Sequence, residues 1–308
     1  MLATMPMSAL ELCDAIRSGK PFDASRLNRI LGLDAVHGLL EVQGATAWHA
    51  IAAELRPGDA RAKVRTTMPT VGESVARNAA GPDGTPAIIH VSSLTVVTPD
   101  GELRRVSRER NRDLFALVVG GYGLFGTVYS ITLRIATLAR AVERATRPQE
   151  LTLQNCRANR ALELLIPPES LDRFVAETDT RCSDWRIPLQ SVAIRHTARE
   201  DDSYLRWARR DFAEVKLALA EPSGLGARVR GVQLRHELID AAIEAGGSFH
   251  IACTADATRE QTETCYPQLK SFLAQKRLFD PHERLVNAWY LHQREVLNRK
   301  PCEVHFAN

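Results

Sequence analysis

The stretch GGYGLFGTVYSITLRI, residues 120–135, decides the reading of this chain. Its first part, Gly121-Tyr122-Gly123-Leu124-Phe125-Gly126, spells a literal G-x-G-x-x-G. In a Rossmann fingerprint a strand precedes that motif and a helix follows it, so that the helix N-terminus meets a pyrophosphate. Here the order is reversed. Upstream, Asn111 to Val119 sets apolar residues at helical spacing, with Asn111 placed to cap the start. Downstream, Thr127 to Ile135 alternates. Tyr129, Ile131, Leu133 and Ile135 face one way; Ser130, Thr132 and Arg134 face the other, which is a strand pattern. The glycines therefore close a helix and open a strand. A helix C-cap and a tight turn account for one or two of them. Gly120, Gly121, Gly123 and Gly126 together point to a backbone that closely approaches another backbone or a ligand.

Outward from this turn the chain mixes helices and strands without a regular βαβ period, so the expected class is α+β. Ser8 to Ser18 reads as a helix. Leu39 to Gln43 reads as a strand, and Thr46 as a cap for a helix Ala47 to Leu55, stopped by Arg56-Pro57-Gly58. Thr70 to Arg77 makes one or two helical turns. Strands Ile88 to Thr98 and Glu102 to Ser107 flank Thr98-Pro99-Asp100-Gly101, a β-turn sequence. The pattern changes over 140–149. Beyond it, Ala161 to Ile166, Leu189 to His196, Glu214 to Leu219 and Ser248 to Cys253 read as strands. Pro167 to Thr180, Asp202 to Arg209, Arg228 to Ala245 and Arg259 to Lys276 read as helical, the last broken at Tyr266-Pro267.

The 308 residues suffice for two domains. A net charge of +3 with scattered Lys and Arg gives no reason to expect nucleic acid or an anionic membrane as a partner. No apolar run is long enough to span a bilayer, and the N-terminus lacks the pattern of a signal peptide. Six cysteines form no C-x-x-C, so reduced, mostly buried thiols and a cytoplasmic location are the expectation. Cys302 to His305 with His292 lacks further spaced ligands, so no metal is expected.

A resemblance rests on the order of several motifs. They are the LRPG helix, Val71-Gly72-Glu73-Ser74 with Asn78-Ala79, the SLTVVTPDGE hairpin and the GGYGLFG turn. Near the end come Gly246-Gly247-Ser248-Phe249, Tyr266-Pro267, Phe279-Asp280-Pro281 and Arg284-Leu285-Val286-Asn287. Over residues 23–292 the chain resembles FAD-linked oxidases of the vanillyl-alcohol oxidase type, similar to sugar-alcohol and lactone oxidases. The resemblance implies a truncated FAD-binding type-2 domain plus a cap on an antiparallel sheet. The expected division is 1–140 FAD-binding, 141–269 cap, and 270–308 returning to the first domain. It implies Gly72, Ser74, Asn78, Gly120, Gly121, Gly123, Gly126 and Asn287 around the cofactor. On residue chemistry alone, Asn287 reads equally as a turn or cap residue. Arg195, in a strand like the E-I-R-T strand of sugar-alcohol oxidases, is implied at the substrate, and His196 is a base candidate near neutral pH. On an alternating strand only one of the two can line a pocket; a surface Arg or a hydrogen-bonded structural His is the plainer reading of each.

Departures from the family pattern matter as much. The helix Ser8 to Ser18 runs through Gly19-Lys20-Pro21 directly into Phe22 to Arg29, where the family places a glycine-rich diphosphate loop and its flavin-carrying histidine. Glu73 stands where a glycine would meet phosphate, Ala193 replaces the glutamate of E-I-R-T, and Ile251 to Ala255 is less polar than a substrate wall. The expectation is therefore an oxidoreductase acting on an alcohol or related C–H bond of a small molecule, with weak non-covalent FAD. Its rivals are a flavin-free homologue serving as a structural or regulatory subunit, and a nucleotide-binding protein using a remaining half-site. A partner chain or a homo-oligomer is the expected source of any missing donors.

Overall fold

The computed structural model describes residues 3–55, 68–81, 84–139, 161–220, 224–252 and 256–298. The expected helix stop at 56–58, the change of pattern over 140–149, Cys156, Cys253 and the segment around Cys302 lie outside the described residues. The contacts divide the chain into two compact units. One comprises Met1–Glu150, Thr197–Arg210 and Phe272–Asn287; the other comprises Leu151–His196, Asp211–Ser271 and Ala288–Asn308. Boundaries at 140 and 270 omit two exchanges: Thr197–Arg210 joins the first unit, and Ala288–Asn308 joins the second.

The first unit is built on an antiparallel sheet. Its strands are β1 (Ile30–Asp34), β2 (Leu39–Gln43), β3 (Val91–Val97), β4 (Leu103–Ser107) and β5 (Thr127–Arg134), in the order β1-β2-β5-β3-β4. β5 lies in the middle, antiparallel to both β2 and β3. Its polar residues Ser130 and Thr132 are therefore buried along with Ile131 and Leu133, not turned to water as simple alternation suggests. Ser130 is satisfied there, donating to Glu41 Oε1 at 2.7 Å. The turn between β3 and β4 forms as expected, with Gly101 at φ 80° and its N–H donating to Thr98 O at 2.8 Å.

Helix Ala9–Ser18 is capped by Ser8, whose hydroxyl accepts from Glu11 N, and it ends at Gly19 in the left-handed conformation. It buries Leu12, Cys13 and Ile16 against Leu27 and Val97, with Phe22 and Tyr129 at the margin. Several local expectations need correction. Residues Ala87–Ile89 form a 3-10 turn before β3, and the strand begins at Val91. Asn111 does not cap helix Arg112–Val118 through its side chain; it sits at φ 52° and donates to Arg105 O at 2.9 Å. Thr46 Oγ1 donates to Arg29 O instead of capping helix Trp48–Leu55. Residues 202–209 form no helix, because their N–H groups are drawn elsewhere. Asp202 and Ser203 donate to the Glu200 carboxylate, and Tyr204 donates to Ala116 O. Strand β1 and helix Ala288–Asn298 were not anticipated from the sequence.

The second unit carries β6 (Leu162–Ile166), β7 (Leu189–Thr197), β8 (Phe212–Leu219) and β9 (Ser248–Phe249), in the order β7-β8-β6-β9. β6 is antiparallel to β8 and β9, and all five of its residues are buried. β9 stops at Phe249, so the expected strand to Cys253 is cut short. Helices Leu171–Asp184 and Leu225–Glu244 pack on each other, and the second packs on β6 and β9. The α+β class is what the sequence pattern predicts.

Candidate functional site

The glycine turn is a packed junction with one open position. Gly120 N donates to Val75 O at 2.9 Å and Tyr122 N to Ala76 O at 2.7 Å, which fastens the turn to helix Val71–Ala76. An added Cβ at Gly120 would lie 3.2 Å from the Asn78 Cβ, and one at Gly126 3.1 Å from Val97 O. One at Gly121 would lie 3.0 Å from the Leu117 carbonyl carbon and overlap its oxygen outright. The space at Gly72 is likewise taken, by Gly44 O at 2.5 Å. Gly123 differs: its φ is 75°, and an added Cβ meets nothing within 4 Å.

Gly123 lines a cleft of about 400 Å³. Helix Ala9–Ser18 contributes Ala15 and Ile16, the chain leaving it contributes Gly19 to Phe22, and the far wall is Arg284 to Asn287. Lys20, Arg284 and Asn287 are the cleft's polar lining residues. The far wall is tied down: Arg284 Nη1 donates to Pro99 O at 2.8 Å, and Asn287 Nδ2 to Tyr122 O at 2.7 Å. Glu73 is exposed on its helix and is not part of the lining.

Two expected cofactor residues are committed to the protein. Ser74 is buried, donating to Thr70 O at 3.0 Å and accepting from Trp48 Nε1 at 2.9 Å. Asn78 is fully buried at φ 46°. Its Oδ1 accepts from Ile88 N at 3.0 Å, its Nδ2 donates to Glu200 Oε1 at 3.2 Å, and its carbonyl accepts from Trp207 Nε1 at 2.9 Å. Glu200 also accepts from the hydroxyl of Ser203, and Arg108 joins Asp202 at 2.8 Å. Segment Thr197–Arg210 is thus fastened onto the Asn78 loop. Burial pushes the Glu200 carboxyl pKa up, against the lowering effect of the Ser203 and Asp202 donors.

In the second unit, Arg195 and His196 part as alternation requires. His196 is exposed. Arg195 is partly buried, and its Nε donates to Glu214 Oε2 at 3.1 Å. Glu214 is only 7% exposed, against 27% for Arg195. Across the sheet, register pairs Glu163 with Lys216 and Leu165 with Glu214, which places these residues on one face. Lys216 Nζ meets Glu163 Oε1 at 2.7 Å. Arg195 therefore belongs to a row of paired, largely buried charges. Sequence reasoning missed Glu163, Glu214 and Lys216. The signal was present, because LELLI and FAEVKLAL place charges among residues that read as core strand.

The cleft's near wall and helix Val71–Ala76 lie inside a segment with a known counterpart. Residues 11–107 match the family model of the FAD binding domain. No curated protein matches the chain. The matched segment includes Ala15 to Phe22, Gly72, Ser74 and Asn78, and it excludes the glycine turn and Asn287. It supports an FAD-binding protein and a flavin-dependent oxidoreductase in general. Among the described residues no group of three or more His, Cys, Asp or Glu is arranged to hold a metal ion. Cys13, Cys182 and Cys265 are buried and form no disulfide, and no described helix is long and apolar enough to cross a membrane.

The residues fit FAD in part. The cleft offers cations for phosphate charge and a backbone without a Cβ, the features a nucleotide diphosphate needs. Gly72, Ser74, Asn78, Gly120, Gly121 and Gly126 already spend their special features on internal contacts, and Arg284 and Asn287 each give one donor to a backbone carbonyl.

Proposed function

We propose that the chain is an FAD-dependent oxidoreductase that holds its nucleotide non-covalently and weakly at the Gly123 cleft and oxidises an alcohol or a related C–H bond of a small molecule. The observation that carries this reading is the cleft itself: open backbone at Gly123, two cationic side chains and Asn287, beside a segment that matches an FAD binding domain. Lys20 and Arg284 would take the phosphate charge, and Asn287 would orient the group between them. When bound, FAD supplies a two-electron acceptor. Arg195, whose guanidinium is engaged by Glu214 in the second unit, is proposed at the substrate by the resemblance to the E-I-R-T strand alone, and exposed His196 is not required.

Weak binding follows from the donor count. Each charge-assisted hydrogen bond contributes about 1.5–3 kcal/mol. Losing two such donors of a diphosphate loop weakens binding by about 3–6 kcal/mol, more than a hundredfold at about 1.4 kcal/mol per tenfold. In this chain Gly19, Lys20 and Pro21 join the helix directly to Phe22, whose backbone bridges to Thr4. One observation favours the second reading, a flavin-free partner subunit: the internal commitment of Ser74 and Asn78. FAD titration by calorimetry on the purified chain separates the two. Micromolar or weaker reversible binding supports the first, and no binding at millimolar FAD supports the second.

A further inference from the structure

The far wall of the cleft hangs from an ion pair that is closed to solvent. Lys276 Nζ meets Asp280 Oδ2 within helix spacing, and the two side chains are 0% and 1% exposed. Such a pair adds little net stability over well-packed apolar residues, because both charges are desolvated. Its carboxylate has other work. Asp280 Oδ1 accepts from Arg284 N at 3.0 Å, and Oδ2 accepts from Leu285 N at 2.9 Å. Between them the chain turns tightly, with Glu283 N donating to Asp280 O at 3.1 Å and Glu283 at φ 47°. A non-glycine residue in the left-handed region is strained and persists only where its surroundings impose it. The two carboxylate bonds are that imposition. Immediately after them, Arg284 Nη1 donates to Pro99 O and Asn287 Nδ2 to Tyr122 O.

We infer that the buried Lys276–Asp280 pair is a positioning device for the cleft: it fixes the turn at Glu283 and so sets Arg284 and Asn287 for a phosphate-bearing ligand. This rests on the reading of the cleft as the flavin nucleotide site. Lys276 holds the carboxylate in place and keeps it charged, and Asp280 converts that charge into the fixed path of residues 281–287.

The test uses the full chain with three variants, Asp280→Asn, Lys276→Met and the double variant Lys276→Met/Asp280→Leu. The double variant replaces the ion pair by apolar groups. It is expected to recover most of the melting temperature lost by the single variants and to bind FAD at least tenfold more weakly than wild type. If it recovers melting temperature and FAD affinity together, the pair is only structural and the inference is overturned. The second measurement needs no ligand. Amide hydrogen exchange at Arg284 and Leu285 is expected to speed up at least tenfold in Asp280→Asn, with the neighbouring helix Leu269–Phe279 still protected. Unchanged protection at both amides overturns the inference. If wild type binds no FAD, the flavin reading fails, and the exchange measurement alone decides whether Asp280 fixes the turn.

Discussion

Two glycines of one turn should respond in opposite ways to the same added methyl group. In Gly121→Ala the new Cβ would lie 3.0 Å from the Leu117 carbonyl carbon, closer to its oxygen, and 3.3 Å from Val118 O. All of these are backbone atoms of one helix end, so no side chain can swing away. The turn has to move, and with it the bonds from Gly120 to Val75 O and from Tyr122 to Ala76 O. Overpacking of this kind costs about 3 kcal/mol. In Gly123→Ala the methyl enters open space, and only the left-handed backbone is penalised, by about 1–2 kcal/mol. Urea unfolding followed by circular dichroism, extrapolated to water, measures both. Gly121→Ala should be the less stable of the two by at least about 1 kcal/mol. If Gly121→Ala unfolds like wild type, or Gly123→Ala proves the more damaging, the assignment of Gly121 to backbone packing and Gly123 to the cleft is refuted.

Other expectations concern buried polar groups. Ser74→Ala leaves the Trp48 indole N–H without its acceptor, at a cost of about 1–3 kcal/mol, and should leave FAD affinity unchanged in the folded protein, as calorimetry will show. Glu200 is expected to make stability fall as pH rises. Its folded pKa lies above its unfolded one, so its contribution is complete below the unfolded pKa and is lost as pH climbs through the folded value. Urea midpoints against pH should show this slope in wild type and not in Glu200→Gln. Arg195→Ala strands a buried carboxylate at Glu214 and should destabilise by about 1.5–3 kcal/mol, whereas His196→Ala, at an exposed position, should stay within about 0.5 kcal/mol by the same unfolding assay.

Much of the fold was readable because its signals are local. The first helix, the Thr98–Gly101 turn, the break at Tyr266-Pro267 and the strands around β5 follow from helical spacing, turn chemistry and alternation. The helical reading of Asp202 to Arg209 fails because the fate of its N–H groups depends on Glu200 and Ala116, one of them far away in sequence. The site was legible only in outline. The sequence shows that the turn needs glycines, but whether each serves a carbonyl or a ligand depends on the three-dimensional surroundings of Leu117, Asn78 and Val97. The phrase DPHERLVN gave no hint that Asp280 would be sealed against Lys276. That pairing appears only once helix Leu269–Phe279 and the turn after it are placed together. Burial alone would raise the Asp280 carboxyl pKa; Leu285 N–H, the Lys276 ammonium and Arg284 N–H together hold it below the usual range.

The most direct test of the flavin reading is FAD titration of the purified chain beside Gly123→Leu, whose side chain would occupy the open space at Gly123, with folding of both checked by circular dichroism. The account predicts reversible binding, micromolar or weaker, by the wild-type chain and its loss in the folded variant. Equal binding by both proteins, or no binding by wild type at millimolar FAD, would contradict it.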